Sequence, residues 1–235
     1  GAFSYSNTYV SNRGDTRGNS AHINSYGLIG YARYQGDPWY VNLSATAANQ
    51  QYGTARAITG IPGFSGTAQG KFSGMQYAAR AEAGYPIALK NDWVLTPLGS
   101  LTYRYQNQNA YTESGGNGAG LSVGATNANS IKSGLGARLE KSYSTRYGQV
   151  VPFIQAQWIH EYNTDRQATT AGFSIDPSST AFTTYGASPI ANMADLALGV
   201  TLIKTNNLSV SARYEVQAAH GFFAQTGFVK LQMRF

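Results

Sequence analysis

The sequence predicts an all-β chain: an antiparallel up-and-down transmembrane β-barrel, with ten strands visible. Three observations predict it. The first is composition. Charged residues are 12% of the 235, about half the ~25% of a soluble globular domain, while Tyr (17), Phe (10) and Gly (27) are abundant. Mean hydropathy is nevertheless −0.30, so the chain is not a string of apolar helices. The second is a period-two alternation of apolar and polar residues, the signature of strands and not of helices. The third is that the links between alternating segments are themselves sorted by length, short then long, as in a barrel with tight turns on one side of a membrane and longer loops on the other.

The composition excludes several classes. The chain is too apolar and aromatic to be disordered. It has no cysteine, hence no disulfide framework and no cysteine-based metal site. No apolar run approaches the ~18 residues of a transmembrane helix. The net charge of +6 and the pI of 9.4 raise the question of nucleic acid, but the basic residues alternate along strands and form no surface stripe.

Ten alternating segments lie near 1–10, 24–35, 39–49, 72–89, 93–107, 130–142, 150–162, 194–204, 208–218 and 223–235. Near 76–85, Tyr77, Ala79, Ala81, Ala83 and Tyr85 oppose Gln76, Ala78, Arg80, Glu82 and Gly84. In 93–104, Trp93, Leu95, Leu101 and Tyr103 oppose Thr96, Ser100, Thr102 and Arg104. In 131–141, Leu135, Ala137 and Leu139 oppose Lys132, Gly136, Arg138 and Glu140, and the glycines at 134 and 136 argue against a helix there. In the last two segments, Leu208, Val210, Ala212, Tyr214 and Val216 form one row, and Val229, Leu231, Met233 and Phe235 another. The short links are Gln35–Pro38, Lys90–Asp92, Ser144–Gln149 and Thr205–Asn207; the long ones lie near 11–23, 50–71, 108–129 and 163–193, with 219–222 a short exception. The long links are rich in turn formers and carry no apolar period, so they are expected to be loops. An even strand count puts both termini and the short turns on the periplasmic side. Closure into a ring is expected because hydrocarbon offers no partner to an open sheet edge. Pro38, Pro97 and Pro152 fall in turns or early in strands, where a missing donor is tolerated. Tyr26, Tyr34, Trp39, Tyr85, Trp93, Tyr103 and Trp158 suit interfacial girdles. Gly1 stands inside material that already reads as a strand, with no initiator Met or leader, which predicts a processed or deliberately cut piece forming a single domain over 1–235.

Twelve charged residues fall mostly on the polar parity and are the candidate lumen lining: Arg33, Arg80, Glu82, Arg104, Lys132, Arg138, Glu140, Glu161, Arg213, Glu215, Lys230 and Arg234. One reading is a hydrophilic channel that passes or holds a peptide; the other, favoured for any single residue, is a network of paired charges filling a narrow barrel. The histidines at 22, 160 and 220 are expected at the external rim and have no metal spacing. His160 with Glu161 and Asp165 is the sole cluster that could serve a hydrolase, and a satisfied rim histidine is the preferred reading. Arg13-Gly14-Asp15 is a remote adhesion hint. The glycines around 115–120 lack the following Lys-Ser/Thr of a phosphate loop. No catalytic residue, metal or cofactor is assigned.

The ordered set of segments resembles the C-terminal translocator domain of autotransporters, the type V secretion proteins of Gram-negative bacteria. The stretches that carry the resemblance are SYGLIGYARYQGDPWYVNLSATA at 25–47, FSGMQYAARAEAGYPI at 72–87, WVLTPLGSLTYRYQNQNAYTESG at 93–115, SIKSGLGARLEKSY at 130–143, VPFIQAQWIHEY at 151–162 and GFVKLQMRF at 227–235. The resemblance implies a twelve-stranded barrel plugged by a helix that continues into a secreted passenger. The ten segments align with the last ten strands, so the chain is expected to be a fragment lacking the helix and first two strands, a ten-stranded relative, or a barrel with strands merged inside 39–75. It implies export of an N-terminal passenger without ATP or metal, an outer-membrane setting with lipopolysaccharide, a barrel assembly machinery that reads Phe235 as a terminal signal, and a monomer. In some members lumen acids promote self-cleavage of the helix; Glu82, Glu140, Glu161 and Glu215 are the candidates by position, although no matching helix is present. The competing readings are a passive porin-like channel or adhesin and a ten-stranded outer-membrane protease.

Overall fold

In a computed structural model the described residues are 1–13, 17–176, 178, 180–204 and 208–233. Ten long strands follow one another: β1 (Ala2–Ser11), β2 (Ser20–Gln35), β3 (Tyr40–Ile61), β4 (Phe64–Gly84), β5 (Trp93–Gln108), β6 (Thr126–Lys141), β7 (Gly148–Glu161), β8 (Asn192–Lys204), β9 (Leu208–Ala219) and β10 (Phe222–Met233). Each is hydrogen-bonded antiparallel to its sequence neighbours, in the order β1 through β10. The sheet is curled. Its two ends are β1 and β10, and among the described residues each has one strand neighbour, so no β1–β10 ladder seals it.

The registers fix which residues share a face, because side chains in a ladder point the same way as their partners. Glu82 pairs with Asn42 and Ser100; Lys132 pairs with Thr102 and Glu161; Gln157 pairs with Asp195, which pairs with Gln217. That polar parity lines the concave side. The other parity is continuous too: Leu43 with Ala81, Ala81 with Leu101, Leu139 with Ile154, Ile154 with Leu198, and Leu198 with Tyr214. These residues are open to the outside, Leu135 at 59%, Leu198 at 56% and Val229 at 83%. Such a continuous apolar exterior has no counterpart on a soluble monomer and suits acyl chains. On β5 the outer row runs from Trp93 through Leu95 and Leu101 to Tyr103, aromatic at both ends over the ~10 residues that a tilted strand needs to cross hydrocarbon.

The short links lie where expected. Gly36 donates its N–H to the Trp39 carbonyl at 2.8 Å across the β2–β3 turn. The β4–β5 connection carries a 3-10 turn at Lys90–Asp92 whose Asn91 and Asp92 have φ of 59° and 61°. Residues 205–207 lie outside the described set.

Two expectations about the long links are corrected. The stretch 50–71 is not a loop: β3 and β4 continue through it as a hairpin closed at residues 61–64. At ~3.3 Å per residue, 22-residue β3 measures about 70 Å, far more than a bilayer core. The extension is held by aromatic stacking, Tyr52 on Phe72 at 4.8 Å and Phe72 on Tyr111 at 4.1 Å, which an apolar-period count does not register. The links near 108–129 and 163–193 are not merely irregular either. Short strands at Tyr111–Thr112, Leu121–Val123, Ala168–Phe173 and Ala181–Tyr185 join into a separate four-stranded sheet over the external rim.

Candidate functional site

The concave face of the curled sheet is the candidate site. A cavity of about 780 Å³ opens on it, bounded by residues of β4, β5 and β6 on one side and of β7 through β10 on the other. Arg80, Glu82, Arg104, Lys132, Arg213, Glu215 and Lys230 border that cavity. Arg33, Arg138, Glu140 and Glu161 lie on the same parity of their strands, as their register partners show. Arg234 lies outside the described residues, as does Phe235.

A repeated local device orders these charges. On β4, β6 and β9 an arginine and a glutamate stand two residues apart, so alternation puts both on the inner face. Arg80 Nη2 reaches Glu82 Oε2 at 2.8 Å, Arg138 Nε reaches Glu140 Oε2 at 2.7 Å, and Arg213 Nη2 reaches Glu215 Oε2 at 2.7 Å. The Arg138 guanidinium also lies 3.8 Å over the Phe153 ring, and Arg33 lies 5.0 Å over Tyr40. Glu161 is 4% exposed. It accepts from the Ser130 hydroxyl, from the Ile131 N–H at 2.9 Å and from the Asn163 N–H at 3.1 Å, with Lys132 Nζ at 3.9 Å. Those donors anchor it to β6 and the following link.

Some inner residues were not singled out from the sequence. Asp195 is 3% exposed; its Oδ2 accepts from Gln217 Nε2 at 2.9 Å, while Oδ1 is buried without a partner. Gln157 Nε2 and Arg213 Nε are also buried and unpartnered. The signal for Asp195 was available: it is one acid on the inner parity of the otherwise apolar stretch Met193–Val200. A polar chain also crosses the upper lumen: Gln106 Nε2 donates to the Tyr52 hydroxyl at 2.7 Å, Tyr52 to Gln50 Oε1 at 2.5 Å, and Gln50 Nε2 to Gln76 Oε1 at 2.9 Å.

At the rim a second missed feature ties the small sheet to the barrel. Arg56 Nε and Nη2 donate to Glu113 Oε1 and Oε2 at 3.1 and 2.6 Å. Nη2 also donates to the Ala119 carbonyl at 2.8 Å, and Glu113 Oε2 accepts from the Leu121 N–H at 3.0 Å. The Glu113 carboxylate raises the Arg56 guanidinium above its ordinary range.

The structure does not assemble the hydrolase cluster. His160 faces outward, with Nδ1 2.9 Å from Asn192 Oδ1 and its ring against Trp158 and Tyr162, whereas adjacent Glu161 faces inward. Asp165 is an exposed loop residue. His22 also points outward, bonded to Asn7 at 2.7 Å, and His220 lies exposed in the β9–β10 turn. Of the Arg13-Gly14-Asp15 tripeptide, residues 14 and 15 lie outside the described set.

Comparisons with known proteins agree with this architecture. The family profile of the autotransporter beta-domain matches residues 1–215. Outer membrane protein A of Rickettsia conorii is 25% identical over 169 residues, 72% of this chain and 8% of the relative; that of Rickettsia rickettsii is 25% identical over the same length and is covered to 7%. The chain therefore spans less than a tenth of these relatives. The translocator domain of autotransporter NalP from Neisseria meningitidis superposes with a TM-score of 0.73 at 21% identity, over 92% of this chain and 69% of the other. The beta domain of the Bordetella autotransporter BrkA gives 0.69 at 18%, over 99% and 81%.

Proposed function

Because this chain belongs to the autotransporter β-domain family, a translocator domain of the bacterial outer membrane, we propose that its inner face conducts an attached N-terminal passenger to the cell surface. The observation that carries the proposal is the curled sheet whose inner parity is charged and amide-lined around a cavity of about 780 Å³ while its outer parity is apolar. An extended peptide has unsatisfied N–H and C=O groups along its length. A wall of Arg, Glu, Gln and Ser offers them exchangeable partners, and the Arg–Glu pairs keep the wall from binding any one charge too tightly. No step needs ATP or a bond-making residue, and none of the inner carboxylates is assigned a cleavage role.

We read the ten strands as part of a larger ring, with two further strands bridging β1 and β10. Two facts support this: among the described residues both edges are open, and hydrocarbon penalises open edges. The terminal aromatic at 235 remains our proposed recognition signal for the assembly machinery, on the alternating pattern of β10, and the external rim our proposed contact with lipopolysaccharide.

The test uses the parent protein with its passenger, expressed in a Gram-negative host, and reads passenger exposure by external protease. Thr102→Trp and Ser100→Trp, both facing the cavity, are expected to slow exposure severalfold. Leu101→Trp, facing lipid, is expected to leave it unchanged. Equal export by all three folded variants would falsify passage along this face.

A further inference from the structure

The cations of the strands turn inward as a rule; away from the hairpin extension, where Lys71 faces outward, an exception is Lys141. It is the last residue of β6 and pairs with Trp93, the first of β5, on the outer parity. Its Nζ stands 5.6 Å from the Trp93 ring centroid and 5.3 Å from that of Tyr143, so two ring faces hold one ammonium. Two more cations lie in the turns on this side of the sheet. Lys90 is in the exposed 3-10 turn that leads into Trp93, and the Arg146 guanidinium lies 4.5 Å over the ring of Tyr147 in the adjoining β6–β7 turn. None of the three has a carboxylate partner within ion-pair distance among the described residues. Asp92 is the one acid in these two turns, so three cations against one carboxylate leave a local charge of +2.

The depth of this patch matters. Beyond Lys141 and Trp93 the outer row turns aliphatic, with Leu139 beside Leu95 and then Ala137 beside Pro97. The ammonium therefore stands where hydrocarbon gives way to headgroups, on the side of the short turns, which is the periplasmic leaflet. A cation bound for solvent would snorkel away from the rings; this one is held against them, on the outer parity. We propose that Lys141, Lys90 and Arg146, set among Trp93, Tyr143 and Tyr147, form a binding site for a phospholipid with a net negative headgroup. The phosphodiester meets Lys141 beside the two rings, Lys90 and Arg146 add positive charge from the adjoining turns, and the acyl chains run along the shallow outer strip from Leu139 to Ala137. The rings fix the position of the charge, so the preference is local to this side of the barrel and does not follow net charge. This site lies on the opposite face of the sheet from the lumen, so its test is independent of passenger export.

The full-length protein that contains this chain is inserted in vesicles, with Trp39→Phe, Trp158→Phe and any tryptophan outside these 235 residues replaced by Phe, leaving Trp93 as the reporter. Brominated phosphatidylglycerol and brominated phosphatidylcholine are compared as quenchers of its emission. The anionic lipid is expected to associate about fivefold more strongly, the factor for one cation at a charged interface, with the preference shrinking at high salt. Lys141→Gln with Arg146→Gln is expected to abolish the preference, and Lys141→Arg to keep it. If the double variant does not insert, judged by heat-modifiable gel mobility, Lys90→Gln and Arg146→Gln are read singly and each is expected to reduce it. Equal quenching by both lipids overturns the proposal, as does a preference that survives loss of the cations. So does its removal by inorganic phosphate when chloride of matched ionic strength has no such effect, for then the bound species is a free anion.

Discussion

Replacing Glu113 by Gln probes the join between barrel and external sheet. In the native geometry its carboxylate receives three hydrogen bonds, two from Arg56 and one from the Leu121 N–H, and its side chain is 5% exposed. Exposed pairs are worth up to ~1 kcal/mol, and breaking a fully buried one costs ~3–5 kcal/mol. Arg56 is 34% exposed, which places this pair between the limits. An amide also keeps part of the carboxylate's accepting capacity, so about 2 kcal/mol is a reasonable cost. At 1.4 kcal/mol per tenfold, local opening becomes about thirtyfold more frequent. Hydrogen exchange at the Leu121 amide is the direct readout, because that N–H donates to Glu113 Oε2 and loses this partner in the variant. Strand amides of β5 and β6 should keep their rates. Arg56→Gln should give a similar acceleration, and the double variant less than the sum, with a coupling of ~1–2 kcal/mol. If Leu121 exchanges within about twofold of the parent rate in Glu113→Gln, the ion pair does not hold the loop, and the stack of Phe72 on Tyr111 carries the join instead.

Three further outcomes are expected. Leu198→Arg, at the middle of the outer band, should lower the yield of heat-modifiable barrel in vesicles by an amount equivalent to ~2–4 kcal/mol, whereas Thr102→Arg on the inner face should be tolerated; similar yields would contradict the facing of the two parities. Gly136→Ala should reduce folding by ~1–3 kcal/mol, because a Cβ there would strike the Ala156 carbonyl and come within 2.7 Å of the Gln157 Cα; refolding at parent yield would show that the β6–β7 ladder gives way. Asp176, in an external loop, accepts from the Ser178 hydroxyl and N–H and from the Thr180 N–H, which lower its carboxyl below the usual range. Its stabilisation of the loop is therefore complete above the ordinary carboxylate value and fades as pH falls through the lowered one. Protection of the Ser178 amide should follow that course, and Asp176→Asn should remove the dependence; unaltered pH dependence in the variant would assign the effect to another group.

What could be read before any coordinates was set by how local the signal is. Alternation is a property of one strand at a time, so the facing of Arg80 against Ala81, or of Leu139 against Glu140, follows from the sequence and matches the registers. The hairpin beyond residue 50 escaped because its outer parity, Gln51, Gly53 and Ala55 opposite Ser73, Lys71 and Gln69, is polar or small and marks no apolar period. The hairpin's strand character comes from cross-strand hydrogen bonds and from a stack completed by Tyr111, far along the chain. The rim sheet escaped for a related reason: two separate loops supply its strands, and the strands paired between them lie more than 40 residues apart, with Val123 opposite Ala171. In the lumen, Asp195 was visible as an isolated acid, but its burial arises from neighbours on β7 and β9. His160 and Glu161 show the converse. Adjacency in sequence suggested partnership, and alternation sends them to opposite sides of the wall.

The ladders from β1 to β10 keep one parity throughout, and the register irregularity between Ile58 and Ile61 sits at the far tip of the longest hairpin. Such a wall constrains its own evolution. A single inserted residue within a strand would turn every later side chain in that strand inside out, so lineages can lengthen these strands only two residues at a time or by whole hairpins. Odd changes in length can accumulate above the rim, where no face has to be preserved. Divergent relatives should therefore differ most in the reach of that tip and least in the count between Trp93 and Tyr103.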